Sequence, residues 1–188
     1  MWRLLFLISA LPIAAALLIR WWFGLRVLAE DGKRPCRCDL GNWMPVANDT
    51  AVIHRAEETA AEFGRQLRHK ALAEWQEQDP KASTARENSK RFGMAVPPLS
   101  AIIAVFAALV AKIPIMGAIS IVLAATALAS ALGMLSLAPE LAAVARAAKK
   151  LREAKSFPRR DDEEAVIRCA VAHTWKETLP PMLALLQR

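Results

Sequence analysis

Charged and apolar positions are sharply segregated along this chain. Residues Leu4 to Ile19 carry no charge, and Gly93 to Pro139 form a 47-residue stretch whose sole charge is Lys112. One continuous helix of that length would extend about 70 Å at a rise of about 1.5 Å per residue, against a bilayer core of about 30 Å. The stretch therefore has to fold back on itself. Lys112-Ile113-Pro114 supplies the turn, because a charge is costly in hydrocarbon and proline interrupts a helix. The pattern predicts one span over Val96–Ala111 and the next over Pro114–Leu137. The N-terminal run, over residues 1–26, is extended by Arg20-Trp21-Trp22-Phe23, an interfacial belt in which the arginine can snorkel toward headgroups. Ala14-Ala15-Ala16 offers a rival reading as a signal-peptide cleavage site, but the apolar run continues through Leu17-Leu18-Ile19 and only Arg3 precedes it, which favours an uncleaved anchor.

The remaining segments show helical periodicity. In residues 27–92, a loop over Ala29–Asn48 leads to a helix capped by Asn48 or Asp49. Val52, Ala56, Ala60, Phe63, Leu67 and Ala71 would share its apolar face as far as Trp75, with Glu57, Glu58, Arg65, Arg68 and Lys70 largely off it. Gln78-Asp79-Pro80 ends that helix, and polar Lys81 to Arg91 leads into the second span. In residues 140–188, Leu141, Val144, Ala148 and Leu151 mark a short amphipathic helix, broken at Ser156-Phe157-Pro158. A further helix starts at Asp161-Asp162-Glu163-Glu164, with acid at its positive dipole end, and runs to about Lys176. Met182–Leu186, beyond Pro180-Pro181, is too short to span. The expected fold class is all-α: an integral membrane protein with three transmembrane helices, an N-terminal anchor (1–26) plus a hairpin (93–139), and cytoplasmic helices in 27–92 and 140–188.

Composition and charge sharpen this. The 188 residues are 55% hydrophobic with a net charge of +7 and three cysteines, which excludes an ordinary soluble domain, a disordered chain and a disulfide scaffold. Residues 20–91 hold thirteen of the 25 Lys/Arg and residues 140–188 hold ten, leaving only Arg3 and Lys112. The positive-inside rule then makes both large groups cytoplasmic, with the N-terminus outside and the C-terminus inside. The cluster Arg146-Lys149-Lys150-Arg152 suits anionic headgroups or a solvated helix face. Nucleic acid is not an expected partner, since no aromatic platform or reading motif accompanies the charge. Small residues at four-residue intervals, Ser100, Ala104 and Ala108 on one span and Ala125, Ala129 and Gly133 on the next, allow close packing within the hairpin or self-association.

Cys36, Cys38, Cys169 and His173 could in principle make a Cys₃His zinc site, but the C-x-C spacing and the distance along the chain favour inert thiols in a reducing cytoplasm. No phosphate-binding glycine loop or serine or cysteine triad is present. The stretch Ala60-Ala61-Glu62-Phe63-Gly64-Arg65-Gln66-Leu67-Arg68-His69 is more informative. A zinc peptidase helix reads His-Glu-x-x-His, with two imidazoles on one face and a Glu that activates water. Glu62 stands at the Glu position, Gly64 at a common companion position and His69 where some members carry a further His, while Ala61 and Arg65 replace the two ligands.

With its surroundings, this stretch resembles the small bacterial membrane zinc metallopeptidases, which are similar in layout to the stress-induced membrane peptidases. Their order is a first span, a motif helix reading A-H-E-V-G-H-A-x-Q-H, a transmembrane hairpin and a segment near P-V-E-F-x-A-S-x-R-A. Here the last segment reads Pro139-Glu140-Leu141-Ala142-Ala143-Val144-Ala145-Arg146-Ala147. The resemblance implies an inner-membrane location and makes Glu140 the third ligand position. Two of three ligands are then missing, so it implies a catalytically silent homologue without bound metal, acting as a scaffold or regulator beside an active paralogue. It also suggests that Arg65 pairs with Glu140, and with Glu62, in place of the metal. The alternatives are an active enzyme using Glu62, His69 and Glu140, and an unrelated small helical membrane protein.

Overall fold

Uncharged runs and capped amphipathic repeats become helices in the computed structural model, which describes residues 2–39, 43, 55–110 and 113–177. The expected cap at Asn48 or Asp49, Val52, the turn at Lys112 and the patch Met182–Leu186 lie outside the described residues. The elements are α1 (Trp2–Ile19), a π-helical turn (Arg20–Leu25), α2 (Arg26–Glu30), β1 (Pro35–Arg37), β2 (Glu57–Thr59), α3 (Ala60–Gln78), α4 (Pro80–Leu109), α5 (Ile115–Leu135), α6 (Ala138–Ala154) and α7 (Arg160–Lys176). The protein is thus predominantly helical. Among the described residues, three helical stretches, Leu4–Glu30, Pro80–Leu109 and Ile115–Ala154, are long and apolar enough to cross a membrane.

Two expectations about local structure need correction. Residues Glu57–Thr59 are not helical but pair antiparallel with Pro35–Arg37, Cys36 standing opposite Glu58. The helical spacing of Ala56 with Ala60 is therefore accidental, and the true cap is Thr59, whose hydroxyl accepts from the Glu62 N–H at 3.3 Å. The polar lead-in from Lys81 to Arg91 is the first part of α4, continuous with the apolar part through Pro97 and Pro98.

The chain forms two compact units, each drawn from separated segments. The first comprises residues 1–20, 84–137 and 177–188. In it α5 packs along α1, with Ile13 and Ala16 of α1 buried against Ala127. Small residues make this approach possible: Ser120, Ala129, Ser130 and Gly133 of α5 are all buried. The hydroxyls of Ser120, Thr126 and Ser130 donate to carbonyls one turn back at 2.8 Å, so these three hydroxyls are satisfied. At the other end of α5, buried Arg86 of α4 donates through Nη1 to the Gly133 carbonyl at 2.9 Å and the Ser136 hydroxyl at 2.7 Å. It thereby satisfies a carbonyl that has no partner within its own helix. Large apolar side chains point outward, with Leu11 73%, Phe106 68% and Leu109 80% exposed. Such a surface suits lipid and not water.

The second unit comprises residues 21–83 and 138–176. Helix α3 packs against both α6 and α7. Its buried residues are the apolar repeat expected from the sequence, Ala60, Phe63, Leu67, Ala71 and Trp75, together with Gly64, Gln66 and Arg68, the last expected off this face. Trp43, Phe63 and Phe157 meet edge to face with ring centroids 5.1–5.5 Å apart. Such aromatic contacts add to the stabilisation from burial itself. The acidic start of α7 is used internally, since buried Asp162 takes Arg34 at 3.0 Å.

Gly64 sets the closeness of α3 and α7. A Cβ there would lie 2.7 Å from both the Ala170 nitrogen and the Cys169 Cβ, and 2.9 Å from the Cys169 carbonyl carbon. Those atoms belong to the α7 backbone or its root and cannot swing away. Gly64→Ala is expected to destabilise the protein by about 1–3 kcal/mol, the usual cost of overpacking, read as a lowered unfolding midpoint in detergent. An unchanged midpoint would mean that the two helices are not held at this distance.

Candidate functional site

The residues singled out by the motif register lie on or against α3, and helical geometry sorts them. At about 100° per residue, the buried face of α3 centres near Ala60, Leu67 and Ala71. Arg65 lies roughly 130° round from that centre and Arg68 roughly 70°, at the edge of the face. The sequence sets Arg65 against Glu140; the guanidinium that the structure brings onto Glu140 is that of Arg68. Arg68 Nε and Nη2 donate to Glu140 Oε1 at 3.0 and 2.6 Å. Glu140, in the first turn of α6, has no exposed surface, and the Arg68 side chain is 4% exposed. A buried ion pair of this kind is held by direct contact, because water can screen or solvate neither partner.

Glu62 and Arg65 form a separate pair on the other side of α3. Arg65 Nε and Nη2 donate to the Glu62 carboxylate at 3.0 and 2.6 Å, and Gln66 Nε2 adds a third bond at 3.2 Å. The Arg65 hydrogen bonds, with help from Gln66 and the nearby His173, hold the Glu62 carboxyl below its ordinary pKa against the opposing effect of burial. A carboxylate held ionised by a fork is a poor general base, since its proton affinity is reduced. The pairing of Arg65 with Glu62 expected from the sequence is present.

Position 61 is also engaged. His173 of α7 approaches the Ala61 carbonyl at 3.0 Å through Nε2. A carbonyl can only accept, so Nε2 carries the proton, and that nitrogen is committed to the backbone of α3. His69 is exposed, on the side of α3 away from Arg68. The alternative set Glu62, His69 and Glu140 is therefore not gathered at one point, because Glu140 lies on the buried side with Arg68.

These observations decide the fit of a zinc ion to the register that the resemblance implies. Ala61 offers no donor atom, Arg65 is a permanent cation, and Glu140 already holds a guanidinium. That donor set does not fit a dication. Among the described residues, no three His, Cys, Asp or Glu side chains gather as a metal-holding group. Arg68 was missed by sequence reasoning, although it stands two helical turns from Ala61 and one turn from Gly64. That placement beside the apolar row was the available signal.

The cysteines are buried free thiols. Cys36 donates to the Arg34 carbonyl and Cys38 to the Arg55 carbonyl, each at 3.7 Å. Burial, reinforced by Asp162, pushes the Cys36 thiol up to about 11. Burial, reinforced by Asp31 and Cys36, pushes Cys169 up to about 12. Folding thus favours the protonated thiols. Their contribution to stability is complete below the unfolded value of about 8.5 and is lost as pH rises through the folded values. In the folded protein at pH 8, all three thiols are expected to resist iodoacetamide, and all three to react after denaturation, as counted by mass spectrometry. Rapid modification of Cys36 or Cys169 in the folded state would contradict this. Compared with protein-family models, with curated proteins and with solved structures, the chain finds no match.

Proposed function

We propose that this chain is a membrane-anchored, non-catalytic protein with the layout of the small membrane zinc metallopeptidases, in which an arginine has taken the electrostatic place of the metal. The observation that carries the reading is the Arg68–Glu140 pair. In the register of the resemblance, Glu140 is the third ligand position, and a carboxylate built to face a dication would be stranded if the metal were lost. Here it is fully buried and held by a two-pronged guanidinium at 2.6 and 3.0 Å. A permanent side-chain cation meets the same electrostatic need without offering a Lewis acid or an activated water. What remains is a rigid set of helices, a scaffold or regulator whose partner is an active paralogue or a second copy.

The outward apolar side chains of α1, α4 and α5 support residence in a bilayer, and the distribution of basic residues supports the inner membrane with the N-terminus outside and the C-terminus cytoplasmic. Single cysteines in an otherwise cysteine-free background test this. Lys112→Cys is expected to react with an impermeant thiol reagent from outside the cell, and Glu177→Cys only after permeabilisation. The reverse pattern would invert the topology.

Two measurements test the function itself. Detergent-purified protein supplied with zinc is expected to retain less than stoichiometric metal and to cleave no membrane substrate. Stoichiometric zinc that disappears in Glu62→Gln or Glu140→Gln would overturn the proposal in favour of an enzyme. Arg68→Met alone is expected to cost about 3–5 kcal/mol, because it leaves a buried charge unpaired, whereas Arg68→Met combined with Glu140→Leu recovers most of that loss. A mild effect of the single change, read in the same unfolding assay, would show that the pair does not hold the site.

A further inference from the structure

Arg20 follows directly on the uncharged run Leu4–Ile19 and opens the π-helical turn Arg20–Leu25. The sequence makes it an arginine that can reach toward headgroups, and the structure packs its side chain inside the protein. Arg20 is only 7% exposed, and its Nε and Nη1 are buried without a hydrogen-bond partner. A guanidinium cannot shed its charge by losing a proton. Burying it without an acceptor is strongly unfavourable, and an anion is the acceptor that best offsets its charge.

The unit to which Arg20 belongs is poor in acidic side chains. Its segments, residues 1–20, 84–137 and 177–188, contain two acidic side chains, Glu87 and Glu177. Glu87 takes Arg91 at 2.6 Å, and Glu177 takes Lys90 at 3.4 Å. The nearest residues in sequence point to the source instead. Trp21 and Trp22 are 50% and 53% exposed, and tryptophan at the end of an apolar run marks the level of the headgroups. The anion abundant at that level is phosphate, and short interruptions of π-helical geometry recur at functional positions.

We propose that Arg20 anchors a binding site for a phosphate oxyanion, whose oxygens accept the charge-assisted bonds that Nε and Nη1 now lack. The phosphate is carried by an anionic phospholipid headgroup or arrives as soluble phosphate. The inference relies on the membrane residence proposed above but not on the loss of peptidase activity, and zinc retention has no bearing on it.

The test uses the full chain, stripped of lipid in a nonionic detergent, with thermal unfolding and native mass spectrometry as readouts. Phosphatidylglycerol is expected to raise the unfolding midpoint by several degrees and to remain as a single retained lipid, with a smaller effect from phosphatidylcholine. An equal rise with inorganic phosphate alone would assign the same site to the soluble ion. Arg20→Gln should abolish the shift, and Arg20→Lys, which keeps the charge but not the planar fork, should retain part of it. If Arg20→Gln does not fold, the wild-type comparison and Arg20→Lys still decide. No shift from either phosphate source, or a phosphatidylglycerol shift that persists undiminished in Arg20→Gln, would overturn the proposal. A double change at Arg146 and Lys149, exposed on α6, separates this site from general attraction to basic helix faces and is expected to leave the single retained lipid in place.

Discussion

A carboxylate with no exposed surface needs a donor in direct contact, and Glu140 imposes that requirement on the packing of the second unit. Arg68 meets it from α3. The position of Arg68 at the edge of the buried face then fixes the rotation of α3 about its axis. That rotation turns Phe63, Gly64 and Leu67 inward and sends Arg65 and His69 outward. With α3 so oriented, Gly64 meets α7 at a separation that admits no side chain, and His173 reaches the Ala61 carbonyl. The ion pair, the close helix approach and the aromatic trio of Trp43, Phe63 and Phe157 are thus consequences of one helix orientation.

The same orientation governs the chemistry available. Glu62 is held by Arg65 and Gln66, Glu140 by Arg68, and His173 by the backbone of α3. Each contact ties a polar side chain to a neighbour and favours a fixed arrangement of helices. The proposed role as a scaffold or regulator rests on that allocation of donors and acceptors and on the resemblance read from the sequence.

The first unit obeys a different constraint. Its helices expose apolar side chains, so backbone polar groups must be satisfied within the unit. Serine and threonine hydroxyls turn back onto their own helices, and Arg86 covers the open end of α5. Arg20 has both Nε and Nη1 buried without a hydrogen-bond partner, in a unit poor in carboxylates. The fold gives Arg86 Nη1 a carbonyl and a hydroxyl, and the proposed phosphate would supply oxygens to Arg20.

Local features were legible in the sequence because local physics sets them. The uncharged runs mark helices long enough to cross a membrane, Pro114 precedes the start of α5, Ser156-Phe157-Pro158 ends α6, and the acidic run opens α7 at Arg160. The apolar repeat from Ala60 to Trp75 likewise marks the inner face of α3. Tertiary structure alone decided which arginine meets Glu140, since the two residues stand 72 apart in the chain. A basic residue at the edge of an amphipathic face can equally be solvated or buried. The pairing of Pro35–Arg37 with Glu57–Thr59 was hidden for the same reason, because three-residue strands carry no periodic signal and a helical repeat overran one of them. Burial of Arg20 and of the cysteines belongs to this second class, because burial depends on what distant segments bring alongside.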